Sequence, residues 1–234
     1  FLPRTEIEEA KNRMSHDRFK QEFEASFEAS QNAVLSPGMF SIVSEEPYPG
    51  DYYVTADLAG FESSEAGRKI SRNDDHAIAV VKVWRGGWCI VDIIYGKWDV
   101  RETALRLVKA YKDYRPLDFG IEKGMAKNAV MPYLEDEMSR LGLYFNVMEL
   151  SHGNQKKTDR IAWALQGRAE KGRIQLMKGP WNKMFLEQAA DFPNPRAHDD
   201  LLDAVAYVDQ IAVPWFDGPD VIDDWEPLDN IAGY

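Results

Sequence analysis

The chain has 234 residues, of which 44% are apolar, a length and composition typical of one well-buried domain and too short for two full ones. Its single cysteine, Cys89, lies in a mostly apolar run, which favours a buried, unreactive thiol and excludes both disulfides and a cysteine zinc site. No stretch approaches the roughly 20 uninterrupted apolar residues that span a bilayer, so we expect a soluble, intracellular protein.

The net charge of −11 is distributed unevenly along the sequence. Residues 209–234 contain seven acidic residues and neither Lys nor Arg, whereas residues 151–183 contain eight basic and only two acidic residues. Such a basic segment suits nucleic-acid phosphates, although a solvated helix face is the simpler interpretation. The overall acidity therefore does not exclude a nucleic-acid partner.

The N-terminal part predicts an arm and a linker. Residues 5–30 are polar and helix-favouring, with phenylalanines at positions 19, 23 and 27 that form a thin apolar stripe in need of a partner surface. Residues 35–51 follow as a turn-rich linker with three prolines. We therefore predict that residues 1–49 precede the main domain.

From residue 50 onwards the sequence predicts a mixed α/β domain with one central sheet. The first strand lies in residues 51–60, and residues 76–84 and 87–96 form a hairpin. Helices are then predicted at 100–114, capped by Asp99, and at 125–141, 155–172, 183–190 and from Asp199, with strands at 117–122, 143–150 and 173–177 between them.

Acidic residues recur where these elements end or begin. Asp57 ends the first strand, Glu122 ends the fourth, and Asp199, Asp200 and Asp203 open the last helix. In a sheet with helices on its faces, strand ends and helix starts meet along one rim, where such folds place their ligands. Clustered carboxylates stay ionised only beside a cation, and Mg²⁺ and Mn²⁺ prefer oxygen ligands. The sequence therefore predicts a site for a hard divalent cation.

Helix capping is the alternative explanation for the final aspartates. Aspartate in a first turn satisfies free backbone amides and complements the helix dipole. Capping does not explain Asp203, which shares a helix face with Asp199 and Asp200, at roughly 40° and 60° around the axis. For Asp57 and Glu122 taken alone, an acid in a turn after a strand is the better interpretation.

The sequence resembles the C-terminal nuclease domain of the large terminase subunit of tailed bacteriophages. Five segments occur in that family's order and spacing: "YYVTADLAG", "HAIAVVKV", "FGIEKG", "QKKTDRIAWALQGRAEKGRI" and "HDDLLDAVAY". The resemblance covers residues 50–212 and is most specific in the last two segments. It implies a ribonuclease H-like fold and an endonuclease that cuts concatemeric double-stranded DNA during genome packaging with two divalent ions, Mg²⁺ or Mn²⁺.

Carried over by position, the resemblance implies metal ligands at Asp57, Glu122, Asp200 and Asp203, which are also the predicted catalytic residues. Family members vary in which final acids bind metal, so Asp199 stays a candidate ligand. His198 is either a proton shuttle or, more simply, a structural residue. An insertion at residues 61–75 departs from the family pattern, and its Asp74 and Asp75 are expected to be solvated rather than to reach the metals.

The predicted reaction is phosphodiester hydrolysis by two ions about 3.5 to 4 Å apart, one activating water and one stabilising the leaving oxygen. The basic stretch is expected to contact phosphates without reading sequence, so that affinity falls steeply with salt. The predicted DNA-binding residues are Lys127, Asn128, Lys156, Lys157, Arg160, Arg168, Lys171 and Arg173.

The resemblance also implies partners. Full large terminases carry an N-terminal packaging ATPase, but this sequence has no G-x-x-x-x-G-K-[ST] phosphate loop, so it resembles an excised nuclease half whose residues 1–49 come from the end of the ATPase region. Double-stranded DNA, that ATPase domain, the portal protein and the small terminase subunit are the expected partners, with no membrane, in the cytoplasm of the infected bacterial host. Residues 213–234 are predicted to be an acidic, disordered tail.

Two other classes of protein use similar residues. A Holliday-junction resolvase or transposase type of nuclease shares the carboxylates and would prefer four-way junctions to linear duplex. A non-enzymatic DNA-gripping or motor-docking module would bind DNA without cutting it, but the intact Asp57, Glu122 and Asp203 argue against that alternative.

Overall fold

The computed structural model describes residues 34–61, 75–151, 153 and 155–215. The arm at residues 5–30, Asp74 in the insertion and the tail from residue 216 lie outside these ranges, so the predictions for them stay predictions. Among the described residues, no helix is both long enough and apolar enough to cross a membrane.

The described ranges form a mixed α/β architecture, as predicted. Its elements are β1 (Ser41–Val43), β2 (Asp51–Asp57), β3 (His76–Trp84), β4 (Gly87–Gly96), α1 (Val100–Tyr114), β5 (Asp118–Glu122), α2 (Met125–Leu141), β6 (Met148–Leu150), α3 (Lys157–Glu170), β7 (Ile174–Met177), α4 (Asn182–Asp191) and α5 (Asp200–Ala206), with short 3-10 helices at Pro37–Met39 and Tyr207–Gln210.

The strands form one seven-stranded sheet in the order β1-β7-β4-β3-β2-β5-β6. Strand β3 runs antiparallel to β2 and β4, and every other pairing is parallel. Strands β2 and β5 are therefore neighbours whose carboxyl ends lie at the same edge of the sheet. Their register pairs Ala56 with Ile121, so Asp57 and Glu122 follow at adjacent positions.

The prediction of a turn-rich linker at residues 35–51 is wrong at residues 41–43, which form β1. This strand pairs in parallel with β7 at the sheet edge. Just before it, Leu35 and Phe40 are buried in the core, and the Phe40 ring meets the edge of Phe185 at 5.3 Å between centroids. Three residues between turn signals give too short a pattern to reveal a strand.

The predicted strand at residues 143–150 is shortened to β6 at Met148–Leu150. The apolar residues before β6 pack as irregular chain instead of pairing in the sheet. Phe145 stacks on Tyr111 of α1 at 3.9 Å between ring centroids. Side-chain packing therefore accounts for their hydrophobicity without a ladder of backbone hydrogen bonds.

Helices cover both faces of the sheet. Helices α1 and α2 pack on one face, where Cys89 is fully buried and its burial raises the thiol pKa to about 12, as expected of an unreactive cysteine. Helices α3, α4 and α5 pack on the other face, around the fully buried Tyr53, Phe185 and Leu202. The residues of β2 alternate between these two layers, so Thr55 and Asp57 share the α5 side with Tyr53.

Candidate functional site

Asp57 and Glu122 lie side by side at the edge of the sheet where β2 and β5 end. The register of β2 and β5 places their carboxyl groups at neighbouring strand ends. Burial is the largest cause that raises the pKa of Asp57 well above its usual range, and the neighbouring Glu122 raises it further. The Tyr207 hydroxyl donates a 2.9 Å hydrogen bond to Glu122 Oε1. The strand ends therefore concentrate negative charge that lacks full compensation.

Helix α5 brings the final aspartates to this edge. It lies across β2 and β3, and Thr55 Oγ1 donates a buried 2.6 Å hydrogen bond to the Ala204 carbonyl oxygen. Every residue of α5 is buried, and Asp200 and Asp203 are only 6% and 1% exposed. One anchoring bond thus fixes the helix beside the strand that ends in Asp57.

Gln188 of α4 caps the first turn of α5. Its Oε1 accepts hydrogen bonds from the backbone amides of Leu201 at 2.9 Å and Leu202 at 3.4 Å. Asp199 occupies the N-cap position but makes no capping hydrogen bond with its side chain. Because another residue supplies the cap, capping does not account for Asp199.

The ammonium of Lys157 lies among the carboxylates. Its Nζ is 2.9 Å from Asp199, 3.2 Å from Asp203, 3.7 Å from Asp57 and 3.8 Å from Asp200, measured to the nearest carboxylate oxygen. Burial lowers the pKa of Lys157, but the attraction of Asp57, Asp203 and Asp199 outweighs it, so the net shift is upward. We call the carboxylates gathered here the acid cluster: Asp57, Glu122, Asp199, Asp200 and Asp203.

Arg160, one turn along α3, lies inside the acid cluster and not on the surface expected for a DNA contact. It is 7% exposed, and its Nη2 is 2.8 Å from each carboxylate oxygen of Asp203. The guanidinium also stacks over the Tyr207 ring at 4.5 Å. Burial and the charge of Asp57 raise the pKa of Asp203 to about 6, although Lys157 and Arg160 oppose this shift.

The other predicted DNA-binding residues fall into two groups. Lys127 is 3.1 Å from Glu149, and Arg168 is 2.7 Å from Asp209 and lies over the Trp88 ring. These two side chains are engaged within the protein. The rest are exposed: Asn128, Lys156, Lys171 and Arg173.

The insertion and His198 both touch Asp200. The backbone amide of Asp75 donates a 3.3 Å hydrogen bond to Asp200 Oδ2, so the insertion reaches the acid cluster through its main chain. His198 is half-exposed, and its Nδ1 lies 3.7 Å from Asp200 Oδ2. Both contacts lie at the rim of the acid cluster, on the side of α5.

The chemistry of the acid cluster fits a hard divalent cation. Its donors are all carboxylate oxygens, the ligands that Mg²⁺ and Mn²⁺ prefer. Burial and the neighbouring Glu122 raise the pKa of Asp57, as expected where carboxylates are gathered with too little positive charge beside them. Across the described ranges, no three His, Cys, Asp or Glu side chains already converge as a complete metal site. Here the carboxylates contact Lys157 and Arg160 instead.

Sequence reasoning missed three residues that organise the acid cluster. Tyr207, Gln188 and Thr55 act through contacts with residues distant in the chain, which no local pattern reveals. For Lys157 and Arg160 a signal did exist, because both positions continue the buried helical repeat of α3. Their positive charge favoured an exposed position, whereas their helical spacing favoured a position that faces the sheet.

A mixed sheet that gathers carboxylates from two adjacent strand ends and a final helix defines a ribonuclease H-like nuclease domain. The family model described as the Terminase RNaseH-like domain matches residues 55–208. The chain therefore belongs to the terminase ribonuclease H-like domain family. The family predicted from the sequence is confirmed.

Solved structures of large terminases share this fold. The large terminase nuclease of thermophilic phage G20c aligns with a TM-score of 0.53 and 15% identity over 78% of this chain and 100% of that one. The same nuclease has been solved with bound magnesium, zinc and cobalt.

Two further structures extend this comparison. The large terminase nuclease domain of Thermus phage P74-26 gives a TM-score of 0.54 and 17% identity over 79% of this chain and 100% of that one. The large terminase of the thermophilic bacteriophage D6E gives a TM-score of 0.51 and 15% identity over 90% of this chain and 53% of that one. A search of curated proteins found no match. These likenesses confirm the predicted fold.

Proposed function

We propose that this chain is a divalent-metal-dependent endonuclease that cuts concatemeric double-stranded viral DNA during genome packaging. The observation that carries the proposal is the acid cluster, in which carboxylates from β2, β5 and α5 share one edge of the sheet. Membership of the terminase family supports nuclease chemistry. The magnesium, zinc and cobalt bound by the G20c nuclease support a divalent cofactor, which we take to be Mg²⁺ or Mn²⁺ here.

Asp57, Glu122, Asp200 and Asp203 would hold two such ions, with Asp199 as a further candidate ligand. When bound, the ions supply an activated water as nucleophile and stabilise the charge on the leaving 3′ oxygen. The protein's own residues position the ligands. Tyr207 fixes one oxygen of Glu122, and partners of this kind tune metal ligands in many proteins.

Arg160 and Thr55 restrict the carboxylates of α5. The guanidinium of Arg160 holds both oxygens of Asp203, and Thr55 holds the helix backbone one residue further on. Because Arg160 is buried, it also offsets part of the charge that the acid cluster accumulates. These contacts fix the ligands before the substrate arrives.

Three exposed basic residues and one exposed asparagine are proposed to bind DNA through its phosphates. Lys156 lies directly before α3, and Lys171 and Arg173 follow its other end. Asn128 is exposed in the first turn of α2, close after Glu122. Contacts to phosphate position a duplex without reading its bases, and they make affinity fall with rising salt.

The wider setting is proposed from the family. Together with an N-terminal packaging ATPase domain in the same full-length chain, the nuclease would act with the portal protein and the small terminase subunit in the cytoplasm of the infected bacterial host. The comparison in which this chain covers 53% of a longer large terminase supports such an arrangement.

Plasmid digestion tests the proposed function. With Mn²⁺ the wild-type chain should nick and linearise supercoiled plasmid, and chelation should stop it. Asp57→Asn keeps the size of the side chain but removes its charge, so cleavage should fall at least about a hundredfold. Asp136→Asn is the matched control, because Asp136 is exposed on α2 away from the acid cluster.

Three results would contradict the proposal. Cleavage that survives Asp57→Asn would place the chemistry elsewhere. A strong preference for four-way junctions over linear duplex would select the resolvase or transposase type of nuclease. DNA binding without cleavage in Mn²⁺ would select the non-enzymatic gripping module.

A further inference from the structure

The two cations in the acid cluster are held differently. Arg160 is 7% exposed, and its Nε and Nη2 both donate hydrogen bonds to one carboxylate, that of Asp203. The side chain of Lys157 is 39% exposed, and its Nζ lies within 4 Å of four different carboxylates. An ammonium is a compact charge on a flexible stem, so Lys157 is able to leave without unfolding its helix. Arg160 is fixed by burial.

Lys157 also lies where a ligated cation would have to lie. Its Nζ contacts Asp57 at the end of β2 together with Asp199, Asp200 and Asp203 from the start of α5. An ion that binds oxygens from both elements needs the space between them. An ammonium and a divalent ion exclude each other from that space, because they carry like charge and the contacts are short.

We propose that Lys157 is a built-in counter-cation that keeps the acid cluster assembled in the absence of metal and is displaced when metal enters. This inference rests on the proposed function. Its first consequence is that Lys157 competes with the metal, so the metal affinity of the free protein is lower than its carboxylates alone would give.

The second consequence concerns DNA. A displaced ammonium on the exposed side of α3 becomes available to a phosphate oxygen, close to the exposed Lys156. A phosphate that binds the ammonium removes the competitor from the acid cluster, so DNA should strengthen metal binding. By reciprocity, metal should strengthen DNA binding by the same factor. Lys157 would thereby link metal loading to the presence of substrate.

Metal affinity tests the competition directly. Isothermal titration calorimetry with Mn²⁺ alone is run on the full chain, on Lys157→Met, which keeps the length of the stem but removes the charge, and on Lys112→Met, an exposed control across the sheet on α1. Lys157→Met should bind Mn²⁺ about tenfold more tightly than wild type, within the ordinary range of site couplings. Lys112→Met should match wild type. Unchanged or weaker binding by Lys157→Met would overturn the inference.

A labelling experiment on the wild-type chain tests the same displacement and does not require the Lys157→Met variant to fold. Lysines are acetylated briefly with and without Mn²⁺, and each site is quantified by mass spectrometry. Displacement should raise labelling of Lys157 several-fold while labelling of Lys112 stays constant. Equal labelling of Lys157 in both conditions would overturn the inference, even if Lys157→Met fails to fold.

Asp57→Asn separates this inference from the proposed function. If wild type binds no Mn²⁺, or if Asp57→Asn binds it as tightly as wild type does, the acid cluster is not a metal site. Both proposals then fall. If binding depends on Asp57 but Lys157→Met binds no more tightly, the nuclease proposal stands and the counter-cation does not.

Discussion

The hydroxyl of Tyr207 illustrates how one atom outside the acid cluster controls a residue within it. We predict that Tyr207→Phe lowers Mn²⁺ affinity or cleavage rate about tenfold, because Glu122 loses the donor that orients it. The free energy of unfolding should fall by about 1 kcal/mol. Calorimetric titration, plasmid digestion and urea unfolding measure these effects. Tyr144→Phe, at a side chain 70% exposed, should leave all three values unchanged.

His76 predicts a pH dependence of stability. It is buried beside Phe61 and Trp98, and its Nε2 donates to the Trp98 carbonyl oxygen at 3.1 Å. Its Nδ1 has no hydrogen-bond partner among the described residues. Burial lowers the pKa of His76, although the Trp98 carbonyl and Asp75 oppose this.

A lowered pKa means that the unfolded chain takes up the proton first. Stability from neutral His76 is therefore full above about pH 6.5 and is lost as the pH falls towards the native pKa. Wild type should lose more unfolding free energy between about pH 7 and about pH 5.5 than His76→Phe does. Urea unfolding of both proteins at both pH values measures the difference, and equal losses would refute the prediction. Asp203 titrates in both proteins, so it cancels in this comparison.

At the scale of elements, α5 depends on α4 for its first turn. Gln188→Leu should lower the free energy of unfolding by about 1 to 3 kcal/mol, because two buried backbone amides lose their acceptor. Gln166→Leu on α3, which loses only a surface contact with Glu170, should cost less than about 0.5 kcal/mol. Equilibrium unfolding in urea gives both values, and equal costs would mean that the cap contributes little.

The elements that could be predicted from the sequence are those with a long repeat and a clear signal at an end. Helices α1 and α2 have the predicted bounds. Asp99 caps α1 by accepting from the Glu102 amide at 2.8 Å, and Gly142 ends α2 in the left-handed conformation that glycine adopts readily. Strand β1 was not predicted, and β6 was predicted only as part of a longer strand at residues 143–150, because the bounds of three-residue strands are set by their neighbours in the sheet.

The acid cluster was predictable in the same partial way. That the ends of β2 and β5 and the start of α5 would meet followed from the order of the elements. Which cation lay between the carboxylates did not, because the positions of Lys157 and Arg160 depend on how α3 packs on the sheet. The role of the acid cluster in binding metal and the role of the exposed residues Asn128, Lys156, Lys171 and Arg173 in binding DNA stay predictions.

At the scale of the whole molecule, β1 closes one edge of the sheet. We predict that Phe40→Ala lowers the free energy of unfolding by about 3 to 5 kcal/mol, because it leaves a cavity against Phe185. Ile42→Ala, at a residue 54% exposed, should cost far less. Denaturant unfolding distinguishes the two. If residues 34–43 were a detached linker, both substitutions would have the same small effect.

The position of α5 near the end of the described chain has a consequence for the timing of synthesis. Two acids emerge early from the ribosome, on β2 and β5, whereas the remaining three wait for the last helix of the described chain. A nascent polypeptide that stops before residue 199 would lack three of the five carboxylates of the acid cluster. Under the proposed function, cleavage therefore requires synthesis to reach at least residue 203, near the end of the described domain.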